Sequence, residues 1–371
     1  MNSNSPINRL NNKYSILFLL PQFSGGGAER VTLNLLTELY NRGYSVAIIV
    51  FDSSGPLLSM VPKAVPVYNL DKITLRKSII SLIKKVKQLN PNIIFSTFGY
   101  INVALLAIRW LLPQKIKIWI REANLPSISL PNSPHSKLMT ALYKLLYKRS
   151  DKLFCSSKRM REEFILEFLI PGHIIEILPN PVDTEMIKSS ISTIERFDKG
   201  GVCYIAAGRL TFQKGFDRLL YWFSELDSKT ATLVILGDGS LRDELIKIRK
   251  LLNLQDRVRF MGFCDNPWQW YKGADVFLLP SRWEGMPNSV LESLACETPV
   301  IATKDSGGVA EIIDEGESKN GISIVNEEEF LKAMNKASIK FEIDKSRTLL
   351  PDKYKKENVI LIVEKWIHCL R

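Results

Sequence analysis

The sequence has few of the residues that build disulfide frameworks, metal centres or hydrolytic triads. Its 371 residues include five cysteines, at positions 155, 203, 264, 296 and 369, with no Cys-x-x-Cys pair. The three histidines, at positions 135, 173 and 368, form no metal-binding pattern with them. Scattered cysteines are typical of a reducing compartment. We therefore expect no metal site, no structural disulfide and no serine or metal hydrolase.

Long apolar runs are also lacking. The most apolar stretch, residues 101–113, contains Arg109 and is shorter than the roughly 20 residues that cross a bilayer. Residues 1–13 are polar and lack the basic-then-apolar order of a signal peptide. We expect a cytoplasmic protein without a transmembrane helix.

Motifs of several other classes are absent. No G-x-x-x-x-G-K-[S/T] motif occurs, which excludes a P-loop ATPase. No Asp-x-Asp occurs either, so the usual carboxylate anchor for a metal-bound nucleotide-sugar is missing. No RNP, zinc-finger or basic-zipper pattern is present, and we expect no nucleic-acid partner.

Short apolar runs alternate with helix-length amphipathic segments along almost the whole chain. Continuous apolar strands between helices are typical of βα units and buried parallel sheets. The runs form two series, at 14–20, 44–51, 92–97, 117–120, 152–157 and 174–179, and at 203–210, 232–237, 258–262, 275–281, 299–303 and 321–325. The predicted fold class is α/β, with two doubly wound domains.

The two series are separated by residues 180–201, which are rich in Pro, Ser, Thr, Asp and Gly and are interpreted as a linker. We predict a first domain over residues 1–180 and a second over 181–350. The tail, 351–371, is predicted to form an amphipathic helix that packs back on the first domain. Ligands of such folds bind at the carboxyl ends of the strands, here in a cleft between the domains.

The net charge of +11 favours anionic partners. Residues 137–161 combine eight basic residues with one acid, Asp151. Apolar residues at helical spacing run alongside them, at 138, 139, 142, 143, 145, 146 and 147. This pattern fits a basic helix at an anionic membrane surface, contacting it through Lys144, Lys148 and Arg149. It equally fits a core-facing helix with a solvated basic edge.

A glycine-rich turn, Gly25, Gly26 and Gly27, follows the first predicted strand. Such a turn can face the phosphates of a dinucleotide or of a nucleotide-sugar, or can bind none. A nicotinamide dehydrogenase needs G-x-G-x-x-G and an acid about 20 residues later. Asp52 is available as that acid, but Arg30 occupies the position of the third glycine. The dinucleotide interpretation is therefore disfavoured.

Three stretches of the second half lie at predicted strand ends. In 208–220, Arg209 and Lys214 flank a loop and can grip a diphosphate. In 279–303, Glu284 precedes a helix capped by Asn288 or Ser289, and Glu292 lies about one turn inside it. These carboxylates can accept hydrogen bonds from sugar hydroxyls, or can be ordinary first-turn acids. In 305–313, a glycine pair either shapes the same cleft or forms a simple turn.

Taken together and in order, these motifs resemble those of the retaining, family-four glycosyltransferases of the GT-B fold. The E-x7-E pattern of that family stands here as Glu284 and Glu292. The resemblance implies that Arg209 and Lys214 bind the donor diphosphate and stabilise the leaving group. It implies that Glu284 meets the hydroxyls of the donor sugar and Glu292 those of the ribose. The remaining donor contacts that it implies are Gly25, Gly26, Gly27, Gly208, Phe260, Phe263, Gly285, Met286, Pro287, Asn288 and Ser289.

The resemblance also implies a substrate class. We expect no metal and no cofactor, with a nucleotide-sugar, specifically a UDP-sugar, as co-substrate. The expected acceptor is a sugar on a polyprenyl diphosphate at the inner face of a cell membrane, in glycan assembly. A soluble acceptor and a non-catalytic nucleotide-sugar-binding module are the alternatives.

The first domain departs from the family pattern. Many relatives carry a histidine near the strand that reads 118–126 here, where this chain has Arg121, Glu122 and Asn124. We take Glu122 as the candidate that contacts the acceptor hydroxyl or the donor sugar.

Overall fold

The computed structural model describes residues 14–71, 75–131, 135–313, 321–337 and 349–370. The chain divides into two compact units. Unit 1 comprises residues 1–181 together with 356–371, and unit 2 comprises residues 182–355.

Unit 1 contains a seven-stranded parallel sheet in the order β3-β2-β1-β4-β5-β6-β7. Most of its strands are continuous apolar runs because helices cover both faces of the sheet. The strands are β1 (Ser15–Leu20), β2 (Ser45–Val50), β3 (Val67–Asn69), β4 (Ile93–Ser96), β5 (Lys117–Glu122), β6 (Lys152–Cys155) and β7 (Ile175–Ile177).

The helices of unit 1 form two layers, one on each face of this sheet. One hydrophobic cluster joins the sheet to α2, α3, α5 and α6, and the other joins it to α1 and α14. The helices are α1 (Gly27–Asn41), α2 (Leu75–Leu89), α3 (Gly99–Ala107), α4 (Pro126–Ser129), α5 (Ser136–Leu146), α6 (Lys158–Leu166) and the C-terminal α14 (Lys356–His368).

The C-terminal helix belongs to unit 1 because its apolar face is buried against α1. Val359, Val363 and Ile367 lie in the same cluster as the inner face of α1. Arg42 at the end of α1 donates from Nη1 to Glu364 Oε2 at 2.7 Å and from Nε to Glu38 Oε1 at 2.9 Å. The last helix is therefore an integral layer of the first unit.

Unit 2 contains a six-stranded parallel sheet in the order β10-β9-β8-β11-β12-β13. Its strands are β8 (Cys203–Ala207), β9 (Thr232–Leu236), β10 (Val258–Gly262), β11 (Val276–Leu279), β12 (Val300–Thr303) and β13 (Ile322–Val325). Its helices are α7 (Thr184–Ser190), α8 (Phe216–Ser224), α9 (Arg242–Leu251), α10 (Trp268–Gly273), α11 (Asn288–Ala295), α12 (Val309–Ile313) and α13 (Glu327–Ala337). The predicted α/β class with two doubly wound parallel sheets is confirmed.

The interpretation of residues 180–201 as a linker is wrong. This segment contains α7, whose N-terminus is capped by Asp183 accepting from the Met186 amide at 2.9 Å. Ile187 and Phe197 are buried in the core of unit 2. A helix of only two turns gives too little periodicity to be recognised among polar residues.

The basic segment 137–161 is not one helix. Helix α5 ends at Leu146, a short 3₁₀ turn follows, and β6 begins at Lys152. Tyr143, Leu146 and Tyr147 are buried in the core, as the core-facing interpretation expects. Leu138 and Leu145, by contrast, are 58% and 51% exposed. Within the described ranges, no helix has the length and apolarity needed to cross a membrane.

Candidate functional site

The candidate site of unit 2 lies where the sheet changes direction. From β8, one neighbour is β9 and the other is β11, so the loops that follow β8 and β11 diverge at this point. Such a switch point opens a crevice at the carboxyl ends of the strands, which is where doubly wound sheets bind ligands. The loops that follow β8 and β11 carry Arg209 and Lys214, and Glu284, respectively.

Lys214 and Glu284 meet at this crevice. Lys214 Nζ lies 2.6 Å from Glu284 Oε1, which also accepts from Ser281 Oγ at 2.7 Å. The two side chains are 19% and 7% exposed. Lys214 was predicted to bind the donor diphosphate and Glu284 to bind the donor sugar. The structure brings these two residues into contact, although they are 70 positions apart in the chain.

Gly215 lets the loop after β8 reach the end of β11. Its φ of +68° lies in the left-handed region, and a Cβ at this position would collide with the Pro280 carbonyl. Glycine satisfies both constraints, since it has no side chain and adopts positive φ at little cost. Lys214, the preceding residue, is thereby brought against the loop that holds Glu284.

Arg282 fastens the same two loops. Its guanidinium forms a bidentate pair with Asp217, at 2.9 and 2.7 Å, and donates to the Phe212 carbonyl at 2.7 Å. Gln213 adds a bond to the Trp283 carbonyl at 3.0 Å. Burial works to raise the pKa of Asp217, but the hydrogen bonds and charge of Arg282 outweigh it, and the pKa lies below its usual value.

Arg218 holds the loop after β11 in place through hydrogen bonds to its carbonyl groups. It is 8% exposed and donates to the carbonyls of Pro280 and Ser281 at 2.8 and 2.9 Å. A third bond, at 2.9 Å, joins it to Glu327 of α13. The sequence patterns indicated neither Arg218 nor Arg282. In the sequence, Arg218 is recognisable only as a charged residue among the apolar positions of α8. Arg282 is recognisable only as the residue that precedes Trp283 and Glu284.

The stretch 305–313 reaches the same edge of the sheet. Ser306 Oγ bonds to the Thr303 hydroxyl at 2.8 Å and donates to the Ser281 carbonyl at 3.3 Å. Thr303 Oγ1 donates to that carbonyl at 2.7 Å. Three loops therefore converge next to Glu284.

The N-terminus of α11 differs from the sequence expectation in one detail. The helix begins at Asn288 with Pro287 in the capping position and no side-chain cap, so the prediction that Asn288 or Ser289 caps it is wrong. Proline suits the start of a helix because the missing N–H would have no intrahelical partner there. Gly285 and Met286 are buried just before it. Glu292 accepts from Trp268 Nε1 at 3.2 Å.

The other predicted donor contacts in unit 2 lie in neighbouring strands or directly after them. Gly208 follows β8 directly, and Arg209 beside it is exposed, with no ion-pair partner within the described part of the chain. Phe260 lies within β10, half-buried under Arg249, whose guanidinium is 5.7 Å from the ring centre. Phe263 is 50% exposed just after β10. The strand order places β10 two strands away from β8.

In unit 1, Glu122 is buried at the carboxyl end of β5. Its Oε1 accepts from the hydroxyls of Tyr147 and Tyr143 and from Asn102 Nδ2, the last at 2.9 Å. Burial raises the pKa of Glu122 to about 7, and the bonds from Tyr147 and Asn102 oppose this only in part. With 7% of the residue exposed, Glu122 is primarily the centre of a hydrogen-bonded cluster.

Arg121 is also buried, and it donates a hydrogen bond from Nη2 to Asn180 Oδ1. Its Nε and Nη1 have no hydrogen-bond partner among the described residues. Burial lowers the pKa of Arg121 to about 10. Asn124, the third residue singled out in this stretch, is exposed.

The predicted membrane residues Lys144, Lys148 and Arg149 are all exposed, at the end of α5 and in the turn after it. The glycine turn of unit 1 opens α1, with Gly26 in the capping position and Gly25 and Gly27 exposed. Among the described residues, no group of three His, Cys, Asp or Glu side chains is placed to hold a metal ion. All five cysteines are free thiols.

Two family models match the chain. Residues 25–186 match the model described as Glycosyltransferase Family 4, and residues 188–348 match Glycosyl transferases group 1.

Curated relatives match over most of their length. The chain is 29% identical to the N-acetylgalactosamine-N,N'-diacetylbacillosaminyl-diphospho-undecaprenol 4-alpha-N-acetylgalactosaminyltransferase of Campylobacter jejuni, over 89% of this chain and 91% of that protein. It is 26% identical to the UDP-Gal:alpha-D-GlcNAc-diphosphoundecaprenol alpha-1,3-galactosyltransferase of Escherichia coli, over 78% of each chain.

Among solved structures, the chain resembles Anabaena HepE in complex with UDP and glucose. The TM-score is 0.77 at 16% identity, and the match covers 96% of this chain and all of that one. At this identity the likeness establishes the fold.

Proposed function

Since the chain belongs to glycosyltransferase family four and has the GT-B fold, we propose that it transfers a sugar from a UDP-sugar to a lipid-linked sugar. The acceptor sugar is carried on a polyprenyl diphosphate, and the product serves the assembly of a cell-surface polysaccharide. Similarity to two transferases whose names specify undecaprenyl-diphosphate-linked acceptors supports this substrate class. The name of the E. coli relative specifies a UDP-sugar as the donor.

The observation that carries the proposal is the contact between Lys214 and Glu284 at the switch point of unit 2. A nucleotide-sugar presents a dianionic diphosphate next to a ring rich in hydroxyls. The cation Lys214 can bind the diphosphate, and the carboxylate Glu284 beside it can accept hydrogen bonds from the hydroxyls of the sugar. Arg209 adds a second cation, and the uncapped N-terminus of α11 adds backbone N–H groups that favour anions.

These groups suit the charge that develops during transfer. Breaking the bond between the anomeric carbon and the phosphate oxygen leaves negative charge on the diphosphate. Arg209, Lys214 and the backbone amides of α11 stabilise that negative charge without a metal ion. The acceptor oxygen bonds to the anomeric carbon from the side that the diphosphate leaves, and the departing phosphate takes its proton. This path retains the anomeric configuration, and we expect transfer to continue in EDTA.

We propose that unit 1 receives the acceptor. Glu122, at the carboxyl end of β5, supports this role as a carboxylate held in a fixed position next to the edge of the sheet. The exposed leucines and cations of α5 support contact with an anionic membrane, on which a polyprenyl carrier resides. The protein then works as a peripheral enzyme at the cytoplasmic face of the membrane.

The test is transfer from a panel of UDP- and GDP-sugars to short-chain polyprenyl-diphosphate sugars, with the free reducing sugars as soluble acceptors. We expect product only with a UDP-sugar and a lipid-linked acceptor. Glu284→Gln should lower kcat/KM by about 100-fold or more, since such a group acts most strongly on the transition state. Glu297→Gln, which removes a carboxylate paired with Lys272 in the same unit, is the matched control.

Equal transfer to soluble sugars would refute the lipid-linked acceptor. Preference for a GDP-sugar would refute the donor assignment. Full activity of Glu284→Gln would remove the observation on which the proposal rests, and binding without any transfer would favour a nucleotide-sugar-binding module.

A further inference from the structure

Unit 1 buries an arginine that has no carboxylate paired with it. Arg121, near the carboxyl end of β5, is 1% exposed. Its Nη2 donates to Asn180 Oδ1, while Nε and Nη1 have no hydrogen-bond partner among the described residues. A guanidinium carries five N–H donors in all. Most of the hydrogen-bonding capacity of this buried cation is therefore unused.

Glu122, the next residue, does not accept any of these hydrogen bonds. Neighbouring side chains of a strand point to opposite faces of the sheet. Glu122 bonds to Asn102 of α3 and to Tyr147 just after α5, on the face that those helices cover. Arg121 shares the other face with Trp119, which packs in the cluster of α1 and α14. The charge of Glu122 acts on Arg121 only from across the sheet.

The side chains next to Arg121 on its own face are neutral. Phe154 of β6 is its partner in the strand register. Thr97 follows β4 and is level with Arg121 in the same register. The Thr97 hydroxyl is occupied by a 2.8 Å hydrogen bond with Thr32 of α1. None of these neighbours supplies a negative charge to the guanidinium.

A second unpartnered side chain lies on the same face. Ser156 follows β6 and comes two residues after Phe154, so the alternation of the strand places it on the side of Arg121. It is 2% exposed, and its Oγ has no hydrogen-bond partner within the described ranges. β5 and β6 are adjacent in the sheet. Two neighbouring strand ends thus each bury a donor that lacks an acceptor.

The helix that follows Ser156 adds positive potential at the same place. α6 begins at Lys158, and Ser157 caps it by accepting from the Met160 amide at 3.2 Å. The N-terminus of a helix favours negative charge, which acidic residues of the first turn commonly provide. The first turn of α6 contains no acidic residue. The end of β6 is therefore electropositive through its backbone as well as through Arg121.

The cost of this arrangement points to a missing negative charge. An uncompensated charge in a protein interior is strongly unfavourable, and buried donors are almost always hydrogen-bonded. Burial lowers the pKa of Arg121 to about 10, so the guanidinium is still charged at neutral pH. Water can accept hydrogen bonds from Arg121 and Ser156 but brings no charge. An anion supplies both an acceptor and the charge.

Burial also restricts the size of that anion. With 1% and 2% of Arg121 and Ser156 exposed, a diphosphate attached to a nucleoside or a lipid cannot reach them from solvent. A monatomic anion can be enclosed between the strand ends when the chain folds. The site therefore differs in kind from a substrate site.

We propose that the carboxyl ends of β5 and β6 enclose a small inorganic anion of the size of chloride, bound by Arg121 and Ser156. The anion fixes the ends of three consecutive strands, because Arg121 also donates to Asn180, three residues after β7. This role goes beyond the proposed transfer of a sugar and does not depend on it.

The test is urea unfolding of the full chain in sodium chloride and in sodium gluconate at equal ionic strength. An anion that binds only the folded state lowers the unfolding equilibrium constant, by about tenfold for a Kd of about 10 mM and about 100 mM chloride. We expect this decrease in the unmodified protein, a smaller one in Ser156→Ala and none in Arg121→Gln.

Arg109→Gln is the matched control. It also removes one positive charge from unit 1, but Arg109 is paired with Asp151 at 2.7 Å. Asp151 retains Lys117 at 3.3 Å in this variant. We expect Arg109→Gln to show the same chloride effect as the unmodified protein, because general effects of the salt on the surface are common to both.

Bromide provides a direct view of the ion. In crystals of the unmodified protein grown in sodium bromide, we expect an anomalous scattering peak beside the Arg121 guanidinium. Absence of that peak would overturn the proposal. So would a stability that does not depend on chloride, since water would then fill the site, or an equal chloride effect in Arg121→Gln. If Arg121→Gln does not fold, Ser156→Ala and the bromide crystals decide. None of these measurements needs turnover, so their outcome is separate from that of the proposed function.

Discussion

At the scale of single residues, the two units use buried carboxylates differently. Glu284 is matched by a cation, since Lys214 lies 2.6 Å away. Glu122 is matched by neutral donors, two tyrosines and an asparagine, although Arg121 is its neighbour in the chain. Neutral donors compensate a buried charge less completely than an ion pair does. Ionised Glu122 therefore costs stability.

Glu122 predicts a pH dependence of stability. Because burial raises its pKa to about 7, the folded state holds its proton more tightly than the unfolded chain does. The stability from this group is fully present below about pH 4 and is lost as the pH rises to 7 and above. Glu122→Gln keeps the hydrogen-bond acceptor and removes the charge, so we expect it to be more stable than the unmodified protein at pH 8 and similar at pH 5.

Urea unfolding at pH 5, 6, 7 and 8 measures this difference. The exposed Glu162→Gln on α6 controls for the loss of one negative charge from unit 1. A difference between Glu122→Gln and the unmodified protein that stays constant across the pH range would contradict the prediction.

At the scale of elements, the strands could be predicted from sequence and the contacts between loops could not. Runs such as Ser15–Leu20 and Thr232–Leu236 are apolar throughout because both of their faces are buried. β3 was not predicted, since its three residues, Val67–Asn69, are only half-buried. The Arg282–Asp217 pair joins positions 65 apart. Neither residue type nor periodicity signals such a partner, because pairing depends on the sheet order that brings β8 next to β11.

The pairing of these two loops predicts a functional effect of Arg282. Arg282→Lys keeps the positive charge but loses the bidentate geometry with Asp217 and the bond to the Phe212 carbonyl. We expect Lys214 to be positioned less precisely and kcat/KM for the donor to fall by about tenfold, since small misplacements of catalytic groups are costly. Steady-state kinetics and thermal melting together measure the effect.

Arg242→Lys is the control, because Arg242 pairs with Asp238 at 3.6 Å in an exposed position of the same unit. A lower melting temperature with unchanged kcat/KM would mean that Arg282 only supports the fold. We do not expect kcat to recover at saturating donor, since the Arg282–Asp217 pair acts on the position of Lys214 and not on donor affinity alone.

At the scale of the whole molecule, the sequence predicted two α/β domains, and the contacts explain where its boundaries differ. Unit 2 begins at Val182 and runs to Lys355, because α7 and Tyr354 are buried in its core. α14 completes unit 1 from the far end of the chain through its buried face on α1. The excess of positive charge was visible in the composition, but composition does not show which cations share a surface with exposed leucines. In unit 1, α5 does so.

This surface predicts binding to anionic membranes. Leu138 and Leu145 are more than half exposed, and Lys144 and Lys148 are exposed on the same helix and in the turn after it. Each basic residue near an anionic bilayer contributes about 1 kcal/mol, so reversing two of them should weaken binding by at least about 30-fold. Co-sedimentation of Lys144→Glu/Lys148→Glu with phosphatidylglycerol vesicles measures this loss.

Lys247→Glu/Lys250→Glu on α9 makes the same change in net charge on unit 2, and we expect it to keep most of the binding. Equal losses in the two variants would show that net charge alone drives association, and unchanged binding of the first variant would exclude α5 as the contact surface. Leu138→Ser/Leu145→Ser separates the apolar part, because its loss of binding should persist at high salt, where attraction between charges is screened.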